Sequence, residues 1–356
     1  MKSGGPVRVA LVGCGRIAHV HASYLRSIPG VHLVGACDAS PEAREAFTRR
    51  WGLPTCASLR EMQAALEPDV VHVLTPPNTH ATLAIELMRA GLDVLVEKPM
   101  ATSVREADAM IATANQLGRV LSVDHNRWFD PVVLQARQCI RDGALGKLVA
   151  VELFAAFGEG EAGEIQEWKQ SLPGGPIFDV LPHPAYLAHG FLGQPQRVAA
   201  LHGFREDGVV TELRAVLEGE SVLGTLCLSS GARPFANTVT LYGTERTAFV
   251  NLNNMTLILR RSPKLPKPLA KVLPNLDEAY QLCAATAKNT LAFLAGRQRY
   301  YPGIGVHLRA FYEAYRRGQK PPVSPEDGRA VVRLMEELLS PLSATRAGSL
   351  PPEAVA

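Results

Sequence analysis

Residues 9–18 read VALVGCGRIA and place Gly13, Gly15 and Ala18 in a G-x-G-x-x-A pattern. The pattern follows an apolar strand and opens a helix, the context in which it cradles a dinucleotide. Gly13 suits the tight turn, Gly15 lets the backbone approach a pyrophosphate, and Ala18 allows close helix–strand packing. Arg16 and Ile17 open the helix, whose free N–H groups and partial positive charge attract phosphate. Asp38 ends the second apolar run, 25 residues after Gly13. A carboxylate there accepts from ribose hydroxyls and repels a 2′-phosphate. The next basic residue, Arg44, comes a turn and a half into the following helix, so the pattern favours NAD over NADP. Two bland alternatives stand beside this reading: a glycine turn with no ligand, and an Asp38 that only caps a helix.

The elements that must position these residues are legible over the first 125 residues. Apolar, β-branched runs (RVALVG, HLVGAC, VVHVL, DVLVE, RVLSV) alternate with helical stretches. Ser40-Pro41 opens one helix and Gly52 follows its end. Ser58/Glu61 and Ser103/Glu106 have capping-box spacing, and Gly91 and Gly118 fall where C-terminal caps belong. Such alternation predicts a parallel sheet covered on both faces. Beyond residue 125 the rhythm changes. A helix is expected from about Pro131 to Asp142, then a strand, KLVAVELFAAF, then a Gly-rich acidic loop around 158–164. Residues 196–260 read as successive strands with no helix between them, an antiparallel sheet. A helix should start near Asn275 and stop at Gly296, with two more after it, the last opened by Ser324-Pro325. The Pro- and Lys-rich stretch 262–274, with Lys264, Lys267 and Lys271, reads as a solvated connector rather than an anion-binding surface.

The expected fold is therefore an α/β Rossmann dinucleotide-binding domain (1–125) followed by an α+β domain with a large, mostly antiparallel open sheet (126–356). The last helices are candidates to pack back on the first domain.

Composition narrows the class. The chain has 356 residues and a formal net charge of +3, unlike a strongly basic nucleic-acid binder. Its six cysteines form no CxxC pair and no zinc spacing, so no metal site is expected and most should be small buried residues of a reducing cytoplasm. No run of about 18 apolar residues exists, so no membrane span is expected.

The stretch LTPPNTHATLAIELMRAGLDVLVEKPMA, taken with the glycine fingerprint, resembles the Gfo/Idh/MocA oxidoreductases. The likeness continues through DHNRWFDP, IRDGALGKL and W-K…GGPIFDVLPH, essentially the whole chain. It implies a loop beneath the cofactor made by Thr75, Pro76, Asn78 and His80, with Pro77 as an extra proline. It implies cofactor contacts from Glu97, Lys98 and Asn126, with Lys98 also reaching substrate. Arg127, Trp168 and Lys169 match the family's pattern and read either as lining the substrate pocket or as a helix-start arginine, a core aromatic and a solvated lysine. Asp179 and His183 match a D-x-G-x-H motif whose histidine is implied to be the acid/base. Two positions depart from the family: its glycine is Leu181 here, and its aspartate after the histidine is Tyr186.

Removing a proton from a substrate hydroxyl suits histidine, whose pKa lies near working pH. On a helix, Asp179 and His183 would share a face. Pro182 and Pro184 point instead to a helix beginning here, a kink, or a plain turn. Lys98, before a proline at the carboxyl end of a strand, should be extended and could polarise the reacting oxygen. Its bland alternative is a surface ion pair with Glu97. A cis Lys98–Pro99 bond is open to it. His19, His21, His72, His202 and His307 show no partner pattern and read as structural.

The resulting expectation is an NAD-dependent dehydrogenase or reductase acting on a secondary alcohol or carbonyl of a sugar, cyclitol or derivative. Its partner is a small-molecule substrate, with no nucleic acid and no membrane. A homodimer or homotetramer through the open sheet is expected. Two further readings stay open: a redox-neutral enzyme, of epimerase or glycosidase type, with tightly bound NAD, and a non-catalytic dinucleotide sensor.

Overall fold

The computed structural model describes residues 5–157, 167–170, 172–193, 197–206, 209–262, 265–296 and 301–344. Lys264 and the acidic loop around 158–164 lie outside them. The chain divides into two compact units, residues 1–129 with 301–333 and residues 130–300 with 334–356.

The first unit opens with β1 (Val7–Val12), α1 (Arg16–Leu25), β2 (Val31–Cys37), α2 (Pro41–Trp51), β3 (Thr55–Cys56) and α3 (Leu59–Leu66). It continues with β4 (Val70–Val73), α4 (His80–Arg89), β5 (Asp93–Val96), α5 (Val104–Leu117) and β6 (Leu121–Val123). Its helices start where the sequence says they should. Ser40, Ser58 and Ser103 each accept a backbone N–H three residues on, satisfying a donor the helix leaves orphaned. Glu61 and Glu106 reach back to the N–H groups of Ala57 and Thr102. Gly52 and Gly118 end their helices with left-handed backbone.

The strands form one parallel sheet in the order β3-β2-β1-β4-β5-β6. Order reverses between β1 and β4, the crevice where such sheets bind ligands. Register fixes what meets there: Val12 pairs with Cys37 and with Val73, Val73 with Val96, and Val96 with Val123. One residue further, the N–H of Gly13 bonds Cys37, that of Leu74 bonds Val12, that of Glu97 bonds Val73 and that of Asp124 bonds Val96. Gly13, Asp38, Leu74, Glu97 and Asp124 therefore leave the sheet along one carboxyl edge. Cys14, Cys37 and Cys56 are buried. Burial pushes the Cys14 and Cys37 thiols up, to about 12 and about 11, so they stay protonated.

The second unit holds α6 (Pro131–Arg141), β7 (Leu148–Ala156), α7 (Glu167–Gln170), α8 (Ile177–Val180) and α9 (Pro182–Leu192). Strands follow one another from β8 (Arg197–Glu206), β9 (Val209–Glu218) and β10 (Leu223–Ser229) to β11 (Asn237–Gly243), β12 (Arg246–Asn251) and β13 (Thr256–Arg261). They make a seven-stranded sheet in the order β13-β12-β11-β7-β10-β9-β8. Every neighbouring pair is antiparallel except β7 with β10. Alternate residues such as Val151, Leu153, Leu226, Leu228, Val239 and Leu241 are buried, while the residues between them are mostly half-exposed. One face is thus packed and the other open.

The next helix, α10, runs from Lys267 to Leu294 rather than starting near Asn275. The prolines explain the difference. Pro268 lies in the first turn, where a missing N–H costs nothing, while Pro274 sits inside the helix. Most of the expected connector is therefore helix. Half rather than most of the six cysteines are buried: Cys139 and Cys227 are half-buried and Cys283, on this helix, is exposed.

The chain then returns to the first unit with α11 (Pro302–Arg316) and the opening of α12 (Pro325–Ala344). Ile304, Leu308, Phe311 and Tyr312 of α11 pack in one apolar cluster with Leu11, Leu25 and Leu95.

Candidate active site

In the first unit the glycine loop fits the phosphates of a dinucleotide. Gly13 has φ +98°, and a Cβ there would stand 2.9 Å from the Leu74 carbonyl oxygen, so only glycine makes this turn. A Cβ on Gly15 would meet nothing within 4 Å, which leaves open space before the helix. Gly15 caps α1 with no side-chain bond, so the amides of Arg16 and Ile17 remain available to an anion. Asp38 is anchored at the tip of β2. Its Oδ2 accepts the Cys14 N–H at 2.7 Å and its Oδ1 the Ser40 N–H at 2.8 Å. Arg44 is occupied on the backbone, donating to the carbonyls of Asp38 and Ala39.

The next two loops are tied together by His80. This buried ring has Nδ1 2.9 Å from the Pro99 carbonyl and Nε2 2.8 Å from that of Thr75. Burial lowers its pKa, while the two carbonyls facing its ring nitrogens act in the opposite direction. Thr75 meets Thr79 through their hydroxyls, Pro76 accepts from the Thr79 hydroxyl, and Asn78 is exposed. The Lys98–Pro99 bond is cis. The Lys98 N–H donates to Glu97 Oε2 at 2.8 Å. Lys98 itself is half-buried, as are Asn126 and Arg127 in a single turn over Asn126–Phe129.

Beneath Glu97 lies a group that sequence reasoning missed. His21 Nε2 is 3.3 Å from Asp124 Oδ2 and 3.8 Å from Glu97 Oε1. His307 Nδ1 meets Asp124 Oδ1 at 2.7 Å. The other side of His21 faces His72, Nδ1 to Nδ1 at 3.0 Å, and His72 Nε2 reaches the Tyr312 hydroxyl at 2.7 Å. All are buried. Burial opposes charge on His21, but the facing carboxylates of Asp124 and Glu97 outweigh it and raise the pKa to about 9. Burial, then the charge of His21, push His72 well down. His21 is thus the cation, held between the carboxylates of Asp124 and Glu97 on one side and a neutral His72 on the other. The facing atoms of His21, Glu97 and Asp124 lie within 4.8 Å of one another, and His21 Nε2, Glu97 Oε1 and Asp124 Oδ2 are buried without a hydrogen bond. These partners come from distant segments, and no local spacing signals them.

In the second unit, Lys169 Nζ lies 2.9 Å from Asp179 Oδ2, both about a fifth exposed. Trp168 sits beside Lys169 on α7. His183 follows Pro182, the first residue of α9, so both prolines fall in a first turn that tolerates them. His183 Nδ1 meets the Tyr186 hydroxyl at 2.8 Å, with the rings edge to face. Tyr186 is only 2% exposed and Leu181 is fully buried. The two departures from the family motif are thus a core leucine and a tyrosine that holds the histidine ring.

A family model for an oxidoreductase family with an NAD-binding Rossmann fold, GFO_IDH_MocA, matches residues 7–125. One for the GFO/IDH/MocA C-terminal domain matches residues 133–249. D-glucoside 3-dehydrogenase of Escherichia coli is 31% identical over 207 residues, 57% of this chain and 59% of that protein. Inositol 2-dehydrogenase of Rhizobium meliloti is 31% identical over 188 residues, 53% of this chain and 56% of the relative. The chain thus spans between half and two thirds of these relatives' lengths. In fold, it is similar to the WlbA dehydrogenase of Bordetella pertussis, solved with NADH and UDP-GlcNAcA. The TM-score is 0.76 at 20% identity, over 99% of this chain and 100% of the other.

Proposed function

The chain belongs to the Gfo/Idh/MocA oxidoreductase family, and from that premise we propose that it is an NAD-dependent dehydrogenase or reductase. Its substrate would be a secondary alcohol, or the matching carbonyl, of a sugar, cyclitol or derivative. The observation that carries this reading is the Glu97–Lys98–Pro99 turn. It leaves the sheet on the same carboxyl edge as the glycine loop, with its backbone pinned by a carboxylate anchored from below.

A bound nicotinamide supplies hydride chemistry. Gly13, Gly15, Arg16 and Ile17 would hold the pyrophosphate, and Asp38 the adenosine ribose. Thr75, Pro76, Asn78, His80, Glu97 and Asn126 would line the rest of the cofactor. Lys98 polarises the reacting oxygen, and His183 Nε2 takes or returns its proton while Tyr186 holds Nδ1. Asp179, paired with Lys169, acts as the orienting carboxylate, and Arg127, Trp168 and Lys169 contact substrate. Asp38 supports NAD over NADP, because a fixed carboxylate accepts from a ribose hydroxyl and repels a phosphate.

The test is NADH formation across a panel of cyclitols, sugars and sugar nucleotides, with Lys98→Met and His183→Asn beside the wild type. Loss of about 100- to 10,000-fold in turnover is expected in both variants, with cofactor binding intact in His183→Asn. Wild-type turnover in both variants would refute the assignment.

A further inference from the structure

The long helix α10 is turned inside out. Its 28 residues include none that is buried. The side facing its own chain is polar or small. Gln281 both accepts from and donates to the backbone of Leu259, capping the outer edge of β13. Asn289 donates to the Met255 carbonyl, and Glu278 pairs with Arg260. The large apolar side chains point the other way: Leu276 is 60% exposed, Tyr280 73%, Leu291 68% and Leu294 74%.

The exposed side has a regular beat. Leu269, Leu273, Leu276, Tyr280, Cys283, Ala287, Thr290 and Leu294 follow steps of four and three throughout, the seam of a helix pair. The seam carries no charge. Laid antiparallel on a second copy and centred between Gln281 and Leu282, it matches itself. Leu276 meets Ala287, Leu273 meets Thr290, Tyr280 meets Cys283, and Leu269 meets Leu294. Large faces small in the three inner layers, which is what close packing requires. Charge agrees as well. Asp277 and Lys288 stand eleven residues apart, about three turns, and so on one flank. Antiparallel pairing sets Asp277 of each copy and Lys288 of the other at nearly the same level on one flank, where Asp277 also accepts from Gln281 Nε2 of its own helix.

We propose that α10 is a homotypic docking helix, pairing antiparallel with α10 of a second copy of this chain about a two-fold axis near Gln281–Leu282. Such an isologous contact needs only self-complementarity, and this seam has it. The surface is distinct from the open face of the sheet. A membrane-surface helix carries a polar face rich in Lys and Arg, whereas the face opposite this seam sets Glu278, Gln281 and Asn289 against the sheet edge.

The test uses the full chain in solution at about 10 μM, with mass read by sedimentation or light scattering. Leu276→Glu, at a position already exposed, should halve the wild-type mass. Asp277→Lys and Lys288→Asp should each weaken association at least several-fold, and the double variant should restore it. Tyr280→Cys should form a covalent dimer through Cys283 of the second copy on mild oxidation. A monomeric wild type, an unchanged mass in Leu276→Glu, or failure of the charge reversal to rescue would each overturn the proposal. So would a monomer that binds phosphatidylserine vesicles through Leu276.

Discussion

His21 Nε2 lies 3.3 Å from Asp124 Oδ2 in the interior of the Rossmann unit, with neither side chain exposed to solvent. The pair joins the first helix to the end of the last parallel strand, and through Glu97 it supports the turn that carries Lys98. Because the histidine is a buried cation, the contact has a measurable pH signature.

The folded pKa of His21, about 9, is raised above its ordinary value of 6.5. A raised histidine contributes stability that is fully present below pH 6.5 and is lost as pH rises through 9. The amount is on the order of 3 kcal/mol for a shift of this size. Thermal denaturation between pH 6 and 10 should show a falling midpoint, and His21→Gln should flatten that slope. An equal slope in both proteins would contradict the charged state of His21.

Gly13→Ala should destabilise the protein by about 1–3 kcal/mol, since it forces a Cβ into left-handed backbone. The new atom would also stand against the Leu74 carbonyl oxygen at 2.9 Å. Denaturant midpoints report the stability loss. Calorimetric titration with NAD should show binding weakened at least tenfold, because the loop turns by another path.

Asp38→Ala removes the acceptor for the Cys14 and Ser40 amides. The affinity ratio of NAD to NADP should fall by about tenfold or more, the value of one charge-assisted hydrogen bond. Dissociation constants for both dinucleotides check this. An unchanged ratio would mean that Asp38 is only a cap.

Tyr186→Phe deletes the hydroxyl that meets His183 Nδ1. If that bond sets the tautomer and aim of the ring, kcat should drop about tenfold. The pH–rate profile should shift while the cofactor dissociation constant holds. A kcat and profile like wild type would reduce Tyr186 to packing.

Much of the first unit was legible because its signals are local. Ser40, Ser58 and Ser103 cap helices three residues away, and β-branched runs need no distant partner to read as strands. The boundary of α10 was misread for a related reason. Pro274 normally breaks a helix, and only the sheet edge that Gln281 and Asn289 bind shows why this one continues.

The amino-acid sequence by itself determined the Rossmann alternation, the glycine turn, the acidic tip of β2 and the E-K-P turn, since each depends on residues within a few positions of one another. The tertiary structure alone decided the charge on His21, the partners of Asp124 and the solvent-facing seam of α10. A pKa depends on burial and on neighbours brought from distant segments, and which side of an amphipathic helix faces outward depends on what the rest of the chain offers it.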